Sequence, residues 1–231
     1  MDKNFSISFV MPMYNESDNI RSTVQKVKKI AGMLTADYEI VIVDDASTDS
    51  CGDIVKDMMR SDDTLKLYRL EKNTMFGGAF AEAFYRASKD VIVYMDSDMP
   101  VAEEDILKAV PLILNNDVVT GYSKVKKGDT AKRKFISIVY NLMVQGLFGL
   151  HVKDINSGFK IVRKDLVRDI RFISKSPFID VEIFLHAKKK NAKVEQYPLI
   201  FQMRTGGKSY IARIPVVLAT FRDMLKVRAR A

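Results

Sequence analysis

The sequence predicts an α/β protein, a mostly parallel sheet with helices on both faces. Two observations point to it. Short apolar segments rich in β-branched residues recur through residues 1–96, and the stretches between them repeat apolar residues at three- and four-residue spacing. Strands alternating with helices belong to parallel sheets, because a parallel pair needs a crossover to carry the chain back. Residues 7–13 (ISFVMPM) form the first strand, and 17–34 follow with helical spacing at Ile20, Val24, Val27 and Ile30. A second strand is predicted over 38–47 (YEIVIVDDAS), then a helix from about Thr48 to Arg60 with Asp49 in its first turn. TLKLYRLE (64–71) is a strand, a helix starts near Gly77-Gly78, and VIVYMD (91–96) is the next strand.

Rossmann-like sheets of this kind bind ligands outside the carboxyl ends of their strands. The rule selects Pro12, Met13, Tyr14, Asn15 and Glu16 after the first strand, Asp44 and Asp45 after the second, and Asp96 and Asp98 after VIVYM. Carboxylates crowded at three strand ends repel one another unless a cation or hydrogen-bond donors offset the charge. Ligation by one or two carboxylates, completed by water and substrate phosphate, is the habit of Mg²⁺ and Mn²⁺. No GxGxxG follows the first strand, and TGGKS (205–209) lacks the first glycine of a P-loop because that position is Gln202.

At 231 residues and 47% hydrophobic content the chain has ample material for a core. Cys51 is the one cysteine, which excludes an intrachain disulfide framework, and with His151 and His186 it matches no zinc spacing. The N-terminus has no charged leader, apolar stretch and small-residue cleavage site, so no signal peptide is expected, and the cysteine usage points to the cytoplasm. Charge is divided sharply. Residues 1–121 carry 13 Lys+Arg against 21 Asp+Glu (net −8), and 122–231 carry 24 against 8 (net +16). An acidic, metal-binding front and a basic back facing an anionic partner are expected. The run Lys188-Lys189-Lys190 reads as a solvated helix end.

Six segments carry a family resemblance: VMPMYNE (10–16), EIVIVDDASTD (39–49), Asn73 to Gly78, VIVYMDSD (91–98), DINSGFKIVRK (154–164) and MRTGGKS (203–209). In that order they resemble the inverting glycosyltransferases of family 2, which have the GT-A fold, and among them the polyprenyl-phosphate glycosyltransferases such as dolichyl-phosphate mannose synthase. The resemblance implies one GT-A domain over 1–231, with a nucleotide-sugar and metal half at 1–121 and a basic acceptor half at 122–231. It implies a nucleoside-diphosphate sugar donor contacted by Pro12, Tyr14, Glu16, Asp44, Asp45 and Asp96, with Asp96 and Asp98 at a Mg²⁺ or Mn²⁺ ion. Catalytic roles are implied for Asp96, Asp98, Arg133 and Arg204. Acceptor contacts are implied for Lys124, Arg133, Lys134, Ser157, Arg204, Lys208 and Ser209. The processive signature Q-x-x-R-W is absent, since the chain has no tryptophan.

The chemistry leaves the acceptor open between two classes. A polyprenyl phosphate already presents anionic oxygen at neutral pH and needs cations around it, whereas a hydroxyl of a glycan or small molecule needs a general base. The resemblance places the base that such a hydroxyl would require near Asp180 and Glu182, in FIDVEIFLHAKK. A non-catalytic nucleotide- or nucleic-acid-binding protein would account for the basic half but not for the carboxylates, so nucleic acid is not an expected partner. Residues 135–152 contain no acidic or basic side chain besides His151 and follow six cations between Lys124 and Lys134. Asn141, Gln145, Gly146 and Gly149 make this segment a poor membrane span. Residues 211–230 mix Ile214, Val217, Leu218, Phe221 and Leu225 with Arg222, Lys226, Arg228 and Arg230. Both segments read as helices lying on an anionic membrane surface at its cytoplasmic face, or else packing on the sheet or in a homodimer.

Overall fold

The computed structural model describes residues 5–99, 101–123, 131–200 and 214–230; in the helices beginning at Ala131 and Ile214, side chains are described from Ser137 and Pro215 onward. Seven strands make one sheet: β1 (Ile7–Met13), β2 (Tyr38–Asp44), β3 (Leu65–Arg69), β4 (Val91–Met95), β5 (Val118–Ser123), β6 (Phe159–Arg163) and β7 (Val194–Leu199). Their order is β3-β2-β1-β4-β6-β5-β7, parallel throughout except that β6 runs against β4 and β5. The helices are α1 (Ile20–Leu34), α2 (Cys51–Met59), α3 (Met75–Arg86), α4 (Glu103–Ala109), α5 (Ala131–Phe148), α6 (Lys164–Val167), α7 (Ile179–Lys189) and α8 (Ile214–Arg228). The predicted fold class is the observed one.

Alternation along the strands sorts the core into two layers, because successive side chains point to opposite faces. Phe9 and Met11 of β1, Ile40 and Ile42 of β2 and Val93 of β4 meet Val24, Val27 and Ile30 of α1 on one face. Val10, Val41, Val43, Ile92 and Tyr94 meet Phe80 and Phe84 of α3 and Phe184 of α7 on the other. Strands buried on both faces read as continuous apolar runs, which is why β1, β2 and β4 were legible from sequence.

The starts of α2 and α3 differ from expectation in ways that bear on the loops before them. Asp49 precedes α2 instead of lying within it: its carboxylate accepts from Cys51 N at 3.0 Å and from Ser17 N at 2.9 Å, so it caps one helix and anchors the loop into another. α3 begins at Met75 rather than Gly77. The lysine run is also more than a solvated end, since Lys188 Nζ donates to the Phe148 and Gly149 carbonyls at 2.8 and 3.1 Å and so caps α5, and Lys190 reaches the Asp165 and Leu166 carbonyls.

Candidate active site at the sheet switch point

After β1 the chain steps outward to β2 and β3, then returns to place β4 on the other side of β1. That reversal opens a crevice at the carboxyl ends of β1 and β4. The register shows the opening directly: β1 pairs with β2 through Met13 and Asp44, but with β4 only as far as Val10 and Tyr94. Pro12, half-buried and lacking an N–H, falls where β1 has parted from β4, so a central strand tolerates it.

The strand ends at this crevice are strained. Asn15, Ala46, Met75 and Met99 all have positive φ (55°, 59°, 64° and 46°), and they follow β1, β2, β3 and β4 respectively. Outside asparagine and glycine such a backbone costs about 1–3 kcal/mol and persists only where surroundings enforce it. The surroundings are visible. Asn15 N donates to Ser47 Oγ (3.0 Å), and its Oδ1 accepts from Thr48 N (2.8 Å), which joins the β1 and β2 loops. Asn15 stands among the strand-end residues by position, and no local pattern in the sequence signals this bridging role.

The implied nucleotide residues gather here. Tyr14 is exposed, and Glu16 is half-buried with its Oε2 accepting from Asn19 Nδ2 at 3.0 Å. Asp44 is buried, accepting from Ser47 N (2.8 Å) and pairing with Arg69 Nη1 (3.0 Å). Asp45 is buried too; its Oδ1 accepts both the N–H and the hydroxyl of Thr74, at 2.6 and 2.7 Å. Burial pushes the Asp45 carboxyl above its ordinary value, against the two Thr74 bonds. Thr74 immediately precedes α3, so that helix is tied to the end of β2.

Asp96 and Asp98, both half-buried, follow β4. Tyr94 Oη donates to Asp96 Oδ1 at 2.9 Å, and burial followed by the Asp96 charge keeps the phenol protonated. Among the described residues no three His, Cys, Asp or Glu side chains are grouped to hold one ion, so the five carboxylates do not form a shared cage. An oxygen donor pair at Asp96 and Asp98 fits a hard divalent cation that takes its remaining ligands from water and phosphate.

Beneath the crevice lies a group that the sequence reading missed. Lys160 of β6, the register partner of Tyr94, is 0% exposed. Its ammonium pairs with Asp180 Oδ1 at 2.7 Å and donates to the Ser157 carbonyl, 5.7 Å from the Tyr94 ring centroid. Burial pushes Asp180 up to about 6 despite Lys160. Glu182 accepts from Ile173 N and Ser174 N, at 3.0 and 2.8 Å. Both carboxylates considered as a base for a hydroxyl acceptor are therefore buried and bonded internally. Ser157 is buried with its hydroxyl 3.3 Å from the Phe159 carbonyl, inside its own turn. Arg133 and Lys134 belong to α5 but their side chains, like Lys124, Arg204, Lys208 and Ser209 altogether, lie outside the described residues. No helix among the described residues is long and apolar enough to cross a membrane.

Comparison with known proteins places this geometry. The chain is 31% identical over 212 residues to a dolichol-phosphate mannosyltransferase of Pyrococcus furiosus, covering 88% of this chain and 58% of that protein. It is 25% identical over 163 residues to an undecaprenyl-phosphate 4-deoxy-4-formamido-L-arabinose transferase of Aeromonas hydrophila, covering 70% and 50%. The chain thus spans about half the length of these relatives. In fold it superimposes on glucosyl-3-phosphoglycerate synthase of Mycobacterium tuberculosis, solved with Mn²⁺ and UDP-glucose, with a TM-score of 0.72 at 13% identity over 98% of this chain and 79% of that one. The profile of Glycosyl transferase family 2 matches residues 8–171. A match over most of the chain, running from β1 through the switch-point carboxylates and beyond β6, means that the chain belongs to glycosyltransferase family 2.

Proposed function

We propose that the protein transfers a sugar, with inversion, from a nucleoside-diphosphate sugar to a polyprenyl phosphate at a membrane surface. The observation that carries the acceptor class is the internal bonding of Asp180 and Glu182. A hydroxyl acceptor would need one of them as base, while an ionised phosphate needs none. The likeness to two polyprenyl-phosphate sugar transferases supports the same reading.

In this reading the crevice takes the donor. Pro12, Tyr14, Glu16, Asp44 and Asp45 surround the nucleoside, with Asp45 already ordered by Thr74. Asp98 and Asp96 would hold Mg²⁺ or Mn²⁺, which when bound offsets the negative charge growing on the departing diphosphate. Arg133 and Arg204, with Lys124, Lys134, Lys208 and Ser209, supply the positive charge that an anionic acceptor requires. Ser157 shapes its own turn, with its hydroxyl 3.3 Å from the Phe159 carbonyl. α5 and α8 carry apolar exposed faces beside cationic residues and rest on an anionic bilayer.

Labelled nucleotide sugars incubated with and without polyprenyl phosphate, then extracted into organic solvent, test the proposal. Label should enter the organic phase only with the lipid, and Asp98→Asn should abolish the transfer. Transfer to a soluble hydroxyl acceptor, lost in Asp180→Asn at unchanged stability, would overturn it.

A further inference from the structure

β4 is buried on both faces, and aliphatic side chains fill it except at Tyr94. The ring is 1% exposed and packs against Phe80 and Phe84, at centroid distances of 4.6 and 6.1 Å. Phenylalanine would meet those contacts equally well. The hydroxyl adds only one thing, a polar atom that must find a partner in the interior. Its partner is Asp96 Oδ1. Positions 94 and 96 are two apart on an extended chain, so both side chains leave the same face of the sheet. The backbone of Asp96 is tied as well: its N–H reaches the Gly158 carbonyl at 3.3 Å and its carbonyl accepts from Met99 N at 3.0 Å.

We propose that Tyr94 is a positioning residue of the donor site: its hydroxyl fixes one oxygen of Asp96 and thereby sets the direction in which the other faces the nucleotide sugar and its metal ion. The inference rests on the reading of Asp96 as a donor-site residue. Ordering a strand-end carboxylate before the donor arrives removes that ordering from the cost of donor binding. The ring cannot swing away to release it, because the α3 aromatics pack against it. As a neutral phenol at ordinary pH, Tyr94 is a permanent donor to the carboxylate.

Tyr94→Phe removes the hydroxyl and keeps the ring packing. Calorimetry of GDP and of UDP with Mn²⁺ present should show the binding of whichever nucleotide is recognised weakened by up to about tenfold, the scale of ordering one side chain on binding. The acceptor KM should stay unchanged, as should the urea unfolding midpoint to within a few tenths of a molar. In an Asp96→Asn background the same change should add nothing. Wild-type affinity in Tyr94→Phe beside a lost site in Asp96→Asn would overturn the role of Tyr94 and leave the donor site standing. Equal losses with and without Asp96 would overturn it too, by showing that the hydroxyl acts elsewhere. An Asp96→Asn protein that binds normally would remove the donor-site reading itself, and the proposal with it.

Discussion

Lys160, fully buried in β6, constrains its neighbours. A buried ammonium is tolerable only with a close counter-charge and further acceptors, and Asp180 and the Ser157 carbonyl supply them. Removing one member of such a pair costs about 3–5 kcal/mol, because the other stays buried without compensation. Lys160→Met should therefore destabilise the protein by that order in urea titrations. The penalty should grow with pH. Without Lys160, burial alone acts on Asp180 and raises its folded value further, so the protonated form is favoured in the folded state. A raised carboxyl gives its full contribution below the unfolded value near 4 and loses it as pH rises through the folded one. Equal destabilisation at pH 5 and pH 8 would count against this account. A lysine between Phe159 and Ile161 in an apolar strand is the available signal in the sequence, and a weak one because lysine is so seldom fully buried.

At the scale of elements, α3 sets the end of β2. A Cβ at Gly77 would lie 2.6 Å from the Ser174 carbonyl oxygen and the Lys175 carbonyl carbon, and one at Gly78 would lie 2.3 Å from Thr74 Oγ1. The first glycine lets the 174–175 backbone approach the helix, where Gly77 N donates to the Lys175 carbonyl at 2.9 Å, and the second leaves room for the Thr74 side chain to reach Asp45. Gly77→Ala meets backbone that must shift, at about 1–3 kcal/mol, and should weaken nucleotide binding in calorimetry by displacing Thr74. Gly32→Ala, in α1 with nothing within 4 Å of the new Cβ, should instead stabilise by about 0.5–1 kcal/mol and leave binding alone. The strands and the crevice residues were legible because apolar runs and strand-end carboxylates leave local patterns. The Gly77 and Gly78 contacts were not, since they depend on residues a hundred positions away or on the course of one rotamer. The opposite end of the sheet is devoted to stability. Glu39 accepts from Ser8, Lys66 and Ser88, and although burial pushes its carboxyl up, these bonds prevail and hold it at about 2. A depressed carboxyl stabilises above its unfolded value and loses that contribution as pH falls through the folded one. Wild type should thus lose up to about 3 kcal/mol from this group between pH ~4.3 and ~2. Glu39→Gln should unfold with a flatter acid limb, and an identical limb would contradict it.

Across the whole molecule charge is divided unevenly: net −8 over residues 1–121, which carry the proposed donor residues, and net +16 over 122–231. Both helices expected at an interface belong to the basic half, and each has a buried side and an apolar exposed side. In α8, Val216, Met224 and Val227 are buried, and Asp223 fastens the helix by accepting from Lys175 N and Ser176 N at 3.0 and 3.1 Å. Val217, Leu218, Phe221 and Leu225 remain exposed, Leu218 by 65%, as do Ile138 and Leu142 of α5, the latter by 62%. Arg222, Lys226 and Arg228 interleave with the α8 set. An anionic bilayer satisfies both features, drawing the cations to its surface and burying the apolar side chains. Full burial of each large apolar side chain is worth about 1.5–3 kcal/mol, so partial insertion of two should matter by about ten- to a hundredfold. Leu218→Ser with Phe221→Ser should reduce co-sedimentation with phosphatidylglycerol-containing vesicles by that range, and added salt should weaken wild-type binding. Nucleotide binding should be unaffected, because neither side chain belongs to the core. Wild type that ignores anionic vesicles, or a double variant that binds them as tightly, would instead assign this face to another copy of the chain, which sedimentation velocity of the same two proteins would reveal as a dimer lost on substitution.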